Sequence, residues 1–440
     1  QDNTELGEPS GVVRAFNVLT GELVWAWDLG NPAITKLPPE GQGYTRGTPN
    51  VWSTPAFDPV LNLIYLPTGN ATPDYWGSHR SDIAEEYSAS IVALDVATGR
   101  ERWKFQTVHH DVWDYDVPAQ PMLVDFPDGK GGTTPALIQL TKRGQTFVLD
   151  RRTGAPITKV EERPVPQGAA PGEWLAPTQP YSVEMPVFGG EKITERMMWG
   201  VTPIDQAMCR VAFKKLRYEG EFTPPGTTPS LQYHGNGGGQ NWHSGALDAK
   251  RNYLITTGLR NPITVVLKKT DKPTNQPTMV PNRSAMGANM VPYQSSNEQF
   301  LSKIGVPCLA PPHGMMMAID LNTRQIAWQV PIGTAETSGP FGIQSGLKIP
   351  IGGFGIGGMT ATAGDLVFHA ATQDPYLRAY DTATGKVVWK ARLPVGSGGT
   401  PSIYVSPKTG RQYVVLTVGG ARRMPARGDY VIAYALPEGR

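Results

Sequence analysis

The chain has 440 residues, with 40 basic and 38 acidic side chains and a formal net charge of +2, so it has no global basic field for capturing nucleic acid. Its 50 glycines and 41 prolines interrupt it too often for long helices, yet it lacks the period of collagen and the low hydrophobicity of disorder. What remains is many short strands in one large repetitive architecture with a small-molecule partner, and no apolar run is long enough to span a bilayer.

In chain order the first predicted element is a strand, a turn built on Asp or Asn followed by Thr-Gly, and a second strand carrying Trp. It appears as Ala15-Phe16-Asn17 with Thr20-Gly21 and Trp25, then as Ala93-Leu94-Asp95 with Thr98-Gly99 and Trp103. Weaker copies follow at Val148-Leu149-Asp150 with Thr153-Gly154, at Ala246-Leu247-Asp248 with its turn eroded, and at Ala318-Ile319-Asp320 with Thr323 and Trp328. A last full copy is Ala379-Tyr380-Asp381 with Thr384-Gly385 and Trp389. Glycine accepts the positive φ of such a turn, and the Asp or Asn bonds back to nearby amides. A hairpin of this kind cannot bury its apolar face alone, so the copies must stack, and strand-rich repeats of this length close into propellers. A β-sandwich with coincidental turns is the alternative. Stretches 153–194 and 270–303, rich in Pro, Gln, Asn and Ser, are expected to be excursions from the blades, and no interdomain linker is apparent. Cys209 and Cys308 fit one bridge or two buried thiols equally well.

Several longer phrases carry more information. They are Val108-His109-His110-Asp111-Val112-Trp113-Asp114-Tyr115-Asp116 with Pro118-Ala119-Gln120-Pro121, then Val148-Leu149-Asp150-Arg151-Arg152 and Arg217-Tyr218-Glu219-Gly220 with Phe222-Thr223-Pro224-Pro225, and finally Gly428-Asp429-Tyr430-Val431-Ile432-Ala433-Tyr434. Together with the Trp-bearing repeat, they resemble the PQQ-dependent dehydrogenases, and within them the membrane-associated sugar and quinate branch. The resemblance runs through the whole chain. It implies an all-β, eight-bladed β-propeller of the quinoprotein dehydrogenase type, with residues 1–440 forming a single partial propeller domain that supplies most but not all blades. Family propellers are longer, and this sequence opens at Gln1 rather than Met, so a processed end is expected. A gap in the ring exposes strand edges, hence the expectation of a second polypeptide, or a cleaved N-terminal fragment, that completes it.

The resemblance also assigns site residues. Oxidising an alcohol with a quinone needs a base, a hydride acceptor and an electrophile. Asp114 is the implied base, although Asp111, Asp114 and Asp116 taken alone also read as turn caps. Asn70, in Thr68-Gly69-Asn70-Ala71-Thr72-Pro73, joins Asp114 and Asp116 as metal ligands for a divalent cation, with Ca2+ expected and Mg2+ or a lanthanide left open. Trp52, in Thr48-Pro49-Asn50-Val51-Trp52, is the implied floor beneath the planar quinone; without the resemblance it reads as core. Lys142, in Thr141-Lys142-Arg143-Gly144, is the expected partner of the quinone oxygens, against an ordinary surface lysine. Asn236, Asn241 and Trp242, in a glycine-rich segment that lacks the phosphate-loop ending, border the cofactor, and Asp374 approaches the same site; a glycine-rich turn and a turn cap are the plain readings.

Sugar-oxidising relatives carry a histidine soon after the final Gly-Gly, whereas here Gly419-Gly420 leads to Ala421-Arg422-Arg423. A guanidinium grips a carboxylate bidentately, so Arg422 and Arg423 are expected to bind an acidic cyclic substrate, although paired loop arginines also simply face water. The implied reaction is oxidation of quinate to 3-dehydroquinate and of shikimate to 3-dehydroshikimate. Electrons are then expected to pass to ubiquinone from a periplasmic protein associated with the inner membrane, since no CxxCH haem motif is present. An aldose or polyol dehydrogenase of the same family and a non-catalytic propeller scaffold are the competing readings.

Overall fold

The structure is a computed structural model and describes residues 8–269, 292–421 and 424–437. Six antiparallel sheets follow one another along these residues. The first is a pair, β1 (Val13–Phe16) and β2 (Leu23–Trp27). Next come β3 (Ala56–Asp58), β4 (Leu63–Pro67), β5 (Ser90–Asp95) and β6 (Glu101–Gln106), hydrogen-bonded in sequence order. The third sheet holds β7 (Met122–Pro127), β8 (Thr133–Leu140) and β9 (Thr146–Asp150).

Excursions then carry β10 (Val160–Pro164) paired with β11 (Thr178–Ser182), the helix α2 (Pro203–Lys214), and β12 (Ser230–Gln232) in a separate sheet with β15 (Ile263–Lys269) and β16 (Tyr293–Gln299). The stretches expected to be excursions carry strands of their own, and 270–291 of the second one lies outside the described residues. A single-turn helix α1 (Asp82–Glu86), capped by Ser81, sits between β4 and β5. The fourth sheet is β13 (Gly245–Asp248), β14 (Tyr253–Leu259), β17 (Gly314–Asp320) and β18 (Gln325–Pro331), interrupted by the excursion that carries β15 and β16. The fifth comprises β19 (Met359–Ala361), β20 (Leu366–His369), β21 (Tyr376–Asp381) and β22 (Val387–Arg392), and the sixth β23 (Ser402–Val405), β24 (Gln412–Val418) and β25 (Tyr430–Ala435).

The Trp repeat falls on the last two strands of its sheets, and each such hairpin is bulged at one place, after Ala15, Ala93, Ala318 and Ala379. Its tryptophan docks on the turn of the following sheet. Trp25 Nε1 donates to Val96 O at 2.8 Å, Trp103 Nε1 to Arg151 O at 3.2 Å, and Trp328 Nε1 to Thr382 O at 2.8 Å. The turn glycine is needed twice over. At Gly99, Gly154 and Gly385 φ lies between +68° and +74°, and a Cβ would come within 2.5 Å of the docked indole. Asp248 is not a further copy: it closes the turn between the first and second strands of its sheet, as Asp58 does two sheets earlier.

The core is accordingly a series of layers between neighbouring sheets. Tyr65, Ile91 and Ala93 pack against Leu137, Phe147 and Leu149; Ile138 and Val148 pack against Leu254, Met317 and Ile319; Ile255, Met316 and Trp328 pack against Met359, Val367 and Tyr380. Cys209 on α2 and Cys308 form a disulfide with Cα atoms 5.4 Å apart, which settles the open alternative in favour of one bridge. Among the described residues no helix is long and apolar enough to cross a membrane.

Candidate active site

The segment after β6 builds one wall of a chamber. Asp111 accepts the amides of Trp113 at 2.8 Å and Tyr115 at 2.7 Å, and the chain then passes Asp114 in the left-handed region at φ 61°, which an aspartate tolerates better than most side chains. The bend is pinned from behind by the phrase at 217–225 and by Gln232 and His234 beyond it. Trp113 Nε1 donates to Thr223 O at 2.9 Å, Gln232 Nε2 to Trp113 O at 2.6 Å, and Tyr115 Oη to His234 O at 2.8 Å. Buried Arg143 completes the support, donating to Glu221 at 2.7 Å and to the carbonyls of Thr107 and Pro180. Two of the sequence phrases, 108–116 and 217–225, thus meet at one place, the second supporting the first.

Lys142, beyond β8, reaches back into the chamber. Its ammonium donates to Asp114 Oδ1 at 2.7 Å, to Asp114 O at 2.8 Å and to Asp116 Oδ2 at 2.9 Å, which uses all three protons. Gly238, at φ +71°, lies so close that a Cβ would come within 2.7 Å of Lys142 Cα, which accounts for part of the glycine-rich segment. Together Trp52, Asp114, Asp116, Lys142, Asn236, Asn241 and Trp242 line one cavity of about 490 Å3, a size ordinary for a small-molecule site. Both tryptophans are partly exposed to solvent, Trp52 by 45% and Trp242 by 42%.

Two assigned residues stand elsewhere. Asn70 is buried behind the wall, not on it. Its Oδ1 accepts from Ser88 Oγ at 2.9 Å, its Nδ2 donates to Asp74 O at 3.3 Å, and its backbone amide donates to Asp116. Asp374 does not line the cavity: it is a buried ion-pair partner of Arg378 and accepts the amide and hydroxyl of Thr334, each at 2.9 Å. Its side chain therefore ties the segment at Thr334 to Arg378 and caps no turn of its own. Arg422 and Arg423 lie outside the described residues.

The cavity also has walls that the sequence reading missed: Asn50, Asp74, Asn261, Phe354 and Ile356. Asn50 lies two residues before Trp52, and Asp74 four residues after Asn70, so proximity to assigned residues was the available signal. Asn261 and Phe354 sit in irregular connections between strands, and their place depends on packing between distant sheets.

Electrostatically the chamber is overloaded with acid. Burial pushes the Asp114 carboxyl well above the usual carboxylate range; Lys142 opposes this, while Asp116 and Asp111 add to it. Burial, then Asp114 and Asp116, raise Asp74 in the same direction. Burial carries Asp111 up to about 6 against the pull of the Trp113 amide. For Lys142 burial works against the charged form, but Asp114 and Asp116 outweigh it and the ammonium is held on. Asp74, Asp114 and Asp116 thus face a single ammonium, an imbalance that a divalent cation would correct. Among the described residues no three carboxylate, imidazole or thiol groups form a cage by themselves, so a hard cation would need further oxygens, from amides or from a bound cofactor, to fill its shell. The open indole faces, the amides and Lys142 fit a planar anionic cofactor.

Comparison with known proteins identifies the class first. The structure of a europium-containing methanol dehydrogenase superposes with a TM-score of 0.61 at 21% identity, covering 93% of this chain and 62% of that one, so the two share the fold of a propeller quinoprotein. Residues 1–414 match the family model described as "PQQ: Glucose/ethanol/alcohol dehydrogenase, beta-propeller domain". The chain belongs to that family of PQQ β-propeller dehydrogenases. It is 48% identical to "Quinate/shikimate dehydrogenase (quinone)" of Acinetobacter baylyi, over 99% of this chain and 54% of the relative, and 47% identical to "Probable quinate dehydrogenase (quinone)" of Xanthomonas campestris pv. juglandis, over 99% and 56%. The chain therefore spans about half the length of these curated relatives. In both, the matched region is part of one longer polypeptide, so the expectation of a second polypeptide finds no support.

Proposed function

We propose that this chain forms the catalytic propeller of a PQQ-dependent dehydrogenase that oxidises quinate to 3-dehydroquinate and shikimate to 3-dehydroshikimate. The observation that carries the proposal is the buried Asp114–Lys142 pair on the wall of a cavity flanked by two open indoles, in a chain of this family. PQQ, when bound, supplies a two-electron acceptor for the hydride of the substrate carbon. Asp114 takes the hydroxyl proton, and burial, which raises its proton affinity, suits it to that task. Lys142 fixes the direction of the Asp114 carboxylate and offers positive charge to oxygens that become anionic.

Trp52 and Trp242 would border the planar ring, and Asn236 and Asn241 its polar edge. Asp114 and Asp116, with Asn70 behind them, would hold a Ca2+ that offsets the surplus of buried acid. Asp374 would act from behind Thr334 rather than by contact. Arg422 and Arg423 would pair with the substrate carboxylate. The reading includes an eight-bladed ring, electron delivery to ubiquinone and a periplasmic site at the inner membrane; the Cys209–Cys308 disulfide supports an oxidising compartment.

The test is the full-length enzyme loaded with PQQ and Ca2+, assayed by dye reduction with quinate, shikimate and glucose. A kcat/KM for the cyclic acids at least about tenfold above that for glucose is expected, since a bidentate carboxylate contact is worth more than one such factor. A preference for glucose would replace this reading with a sugar dehydrogenase.

A further inference from the structure

Of the three carboxylates that line the cavity, two are engaged by Lys142, and the acids around them are likewise paired. Asp111 accepts two backbone amides, Asp114 and Asp116 share Lys142, and Asp374 holds Arg378 and Thr334. Asp74 also lines the cavity, and its Oδ1 is buried with no hydrogen-bond partner. An orphaned buried acceptor is costly, and such a group in a folded protein calls for an explanation.

Looseness of the loop does not supply one, because the backbone on both sides of Asp74 is tied down. Asn70 Nδ2 donates to its carbonyl at 3.3 Å, and Arg80 Nε donates to the carbonyl of Pro73 at 3.1 Å. Arg80 is itself paired with Glu85 at 3.0 Å, Glu85 lies 3.3 Å from His110 Nδ1, and His110 Nε2 meets Glu173 at 3.1 Å. Glu173 in turn accepts the Gly77 amide and the Ser78 hydroxyl, closing the far end of the loop. This is the pattern of a binding group whose backbone is fixed by a shell of rigid partners while its Oδ1 has no partner within the protein.

We propose that Asp74 is a substrate-binding residue, whose carboxyl group hydrogen-bonds to the hydroxyl next to the one being oxidised. A hydroxyl both donates and accepts, so the bond is available in either charge state of the acid. The inference rests on the reading of the chamber as a polyhydroxylated-substrate site and adds an orientation to it. With Asp74 and Asp114 on neighbouring hydroxyls, a cyclic hydroxy acid presents its vicinal diol edge to this wall and turns its carboxylate away from it.

The test uses the full-length, PQQ- and Ca2+-loaded enzyme and the variants Asp74→Asn and Asp74→Ala, with folding monitored by thermal melting. The paired substrates are quinate and its analogue lacking the hydroxyl adjacent to the oxidised position. For the alanine variant KM for quinate should rise about 10- to 100-fold with kcat within about threefold, while KM for the deoxy analogue stays unchanged. Asp74→Asn, which keeps a hydrogen-bonding group, should recover part of the loss. Bound Ca2+ and the cofactor absorbance should be those of the parent. Equal losses on both substrates, a fall in bound Ca2+, or a lowered melting temperature without discrimination would each overturn the proposal. Should the parent enzyme prefer glucose, the function proposed above fails, and the same comparison made with glucose and 2-deoxyglucose still decides the role of Asp74.

Discussion

Two aspartate turns, 95–99 and 111–116, use the same residue to bend the chain and end in opposite electrostatic states. Asp95 stands near solvent, where the hydroxyl and amide of Thr98 hold its carboxyl below the usual range. Asp114 stands on the chamber wall among other acids, where desolvation holds it well above that range despite Lys142. The difference teaches that the propeller repeats its turns to gain strength and departs from them where it builds a reactive group. Removing the acid at Asp114 should therefore abolish chemistry, and removing it at Asp95 should not. Asp114→Asn in the full-length loaded enzyme is expected to lower kcat by about 10²- to 10⁴-fold with little change in KM. Asp95→Asn should leave both constants where they were. Comparable losses from the two would mean that the buried acid is a scaffold, not a base.

The next effect falls on the structural side of the comparison. Trp103 bridges two sheets through Arg151 O and packs on Gly154 and Tyr65. Its truncation, Trp103→Ala, leaves a void where two layers meet and should cost about 3–5 kcal/mol of stability, read from the shift of the urea unfolding midpoint. The kcat of the folded fraction should stay within about twofold of the parent, because the indole lies in the inter-sheet layer and not on the chamber wall. A selective loss of kcat would erase the distinction between repeat and site.

This division also explains what the sequence disclosed. The repeat was legible because each copy solves the same local problem with the same residues, and the bulges after Ala15, Ala93, Ala318 and Ala379 match its copies. The Asp248 turn imitated the pattern because a β-turn needs the same acid wherever it falls between strands. In the chamber, Trp52, Asp114, Asp116, Lys142 and Trp242 were reachable through phrases that resemble a family, not through any periodicity. Asn70 and Asp374 show the limit of that route: the resemblance gives an address near the site, while hydrogen bonds decide whether a side chain faces the cavity. Asp74 was signalled only by its nearness to Asn70, and Asn261 and Phe354 were invisible because what brings them to the cavity is the packing of separate sheets.

The smallest expected effect separates two histidines by sign. His243 is buried beside the chamber with only the Thr257 carbonyl at 2.8 Å, and burial lowers its affinity for a proton to about 4. The unfolded chain then binds that proton more readily, so the stability His243 contributes is intact above about pH 6.5 and drains away as pH falls toward 4. His110 is also penalised by burial, but Glu173 and Glu85 outweigh it and raise its proton affinity. Its contribution is therefore full below about pH 6.5 and lost as pH rises through its folded value. Between pH 7 and pH 5 His243 should account for about 2 kcal/mol of acid destabilisation, which His243→Gln should remove. His110→Gln should instead destabilise the protein more at pH 5 than at pH 8, because the mutation deletes an interaction that exists only with the proton bound. Urea unfolding of the parent and both variants at the three pH values checks this: if the two substitutions change the pH slope in the same direction, the carboxylates around His110 do not hold a charged imidazole, and the rigid support drawn behind Asp74 would have to come from Arg80 alone.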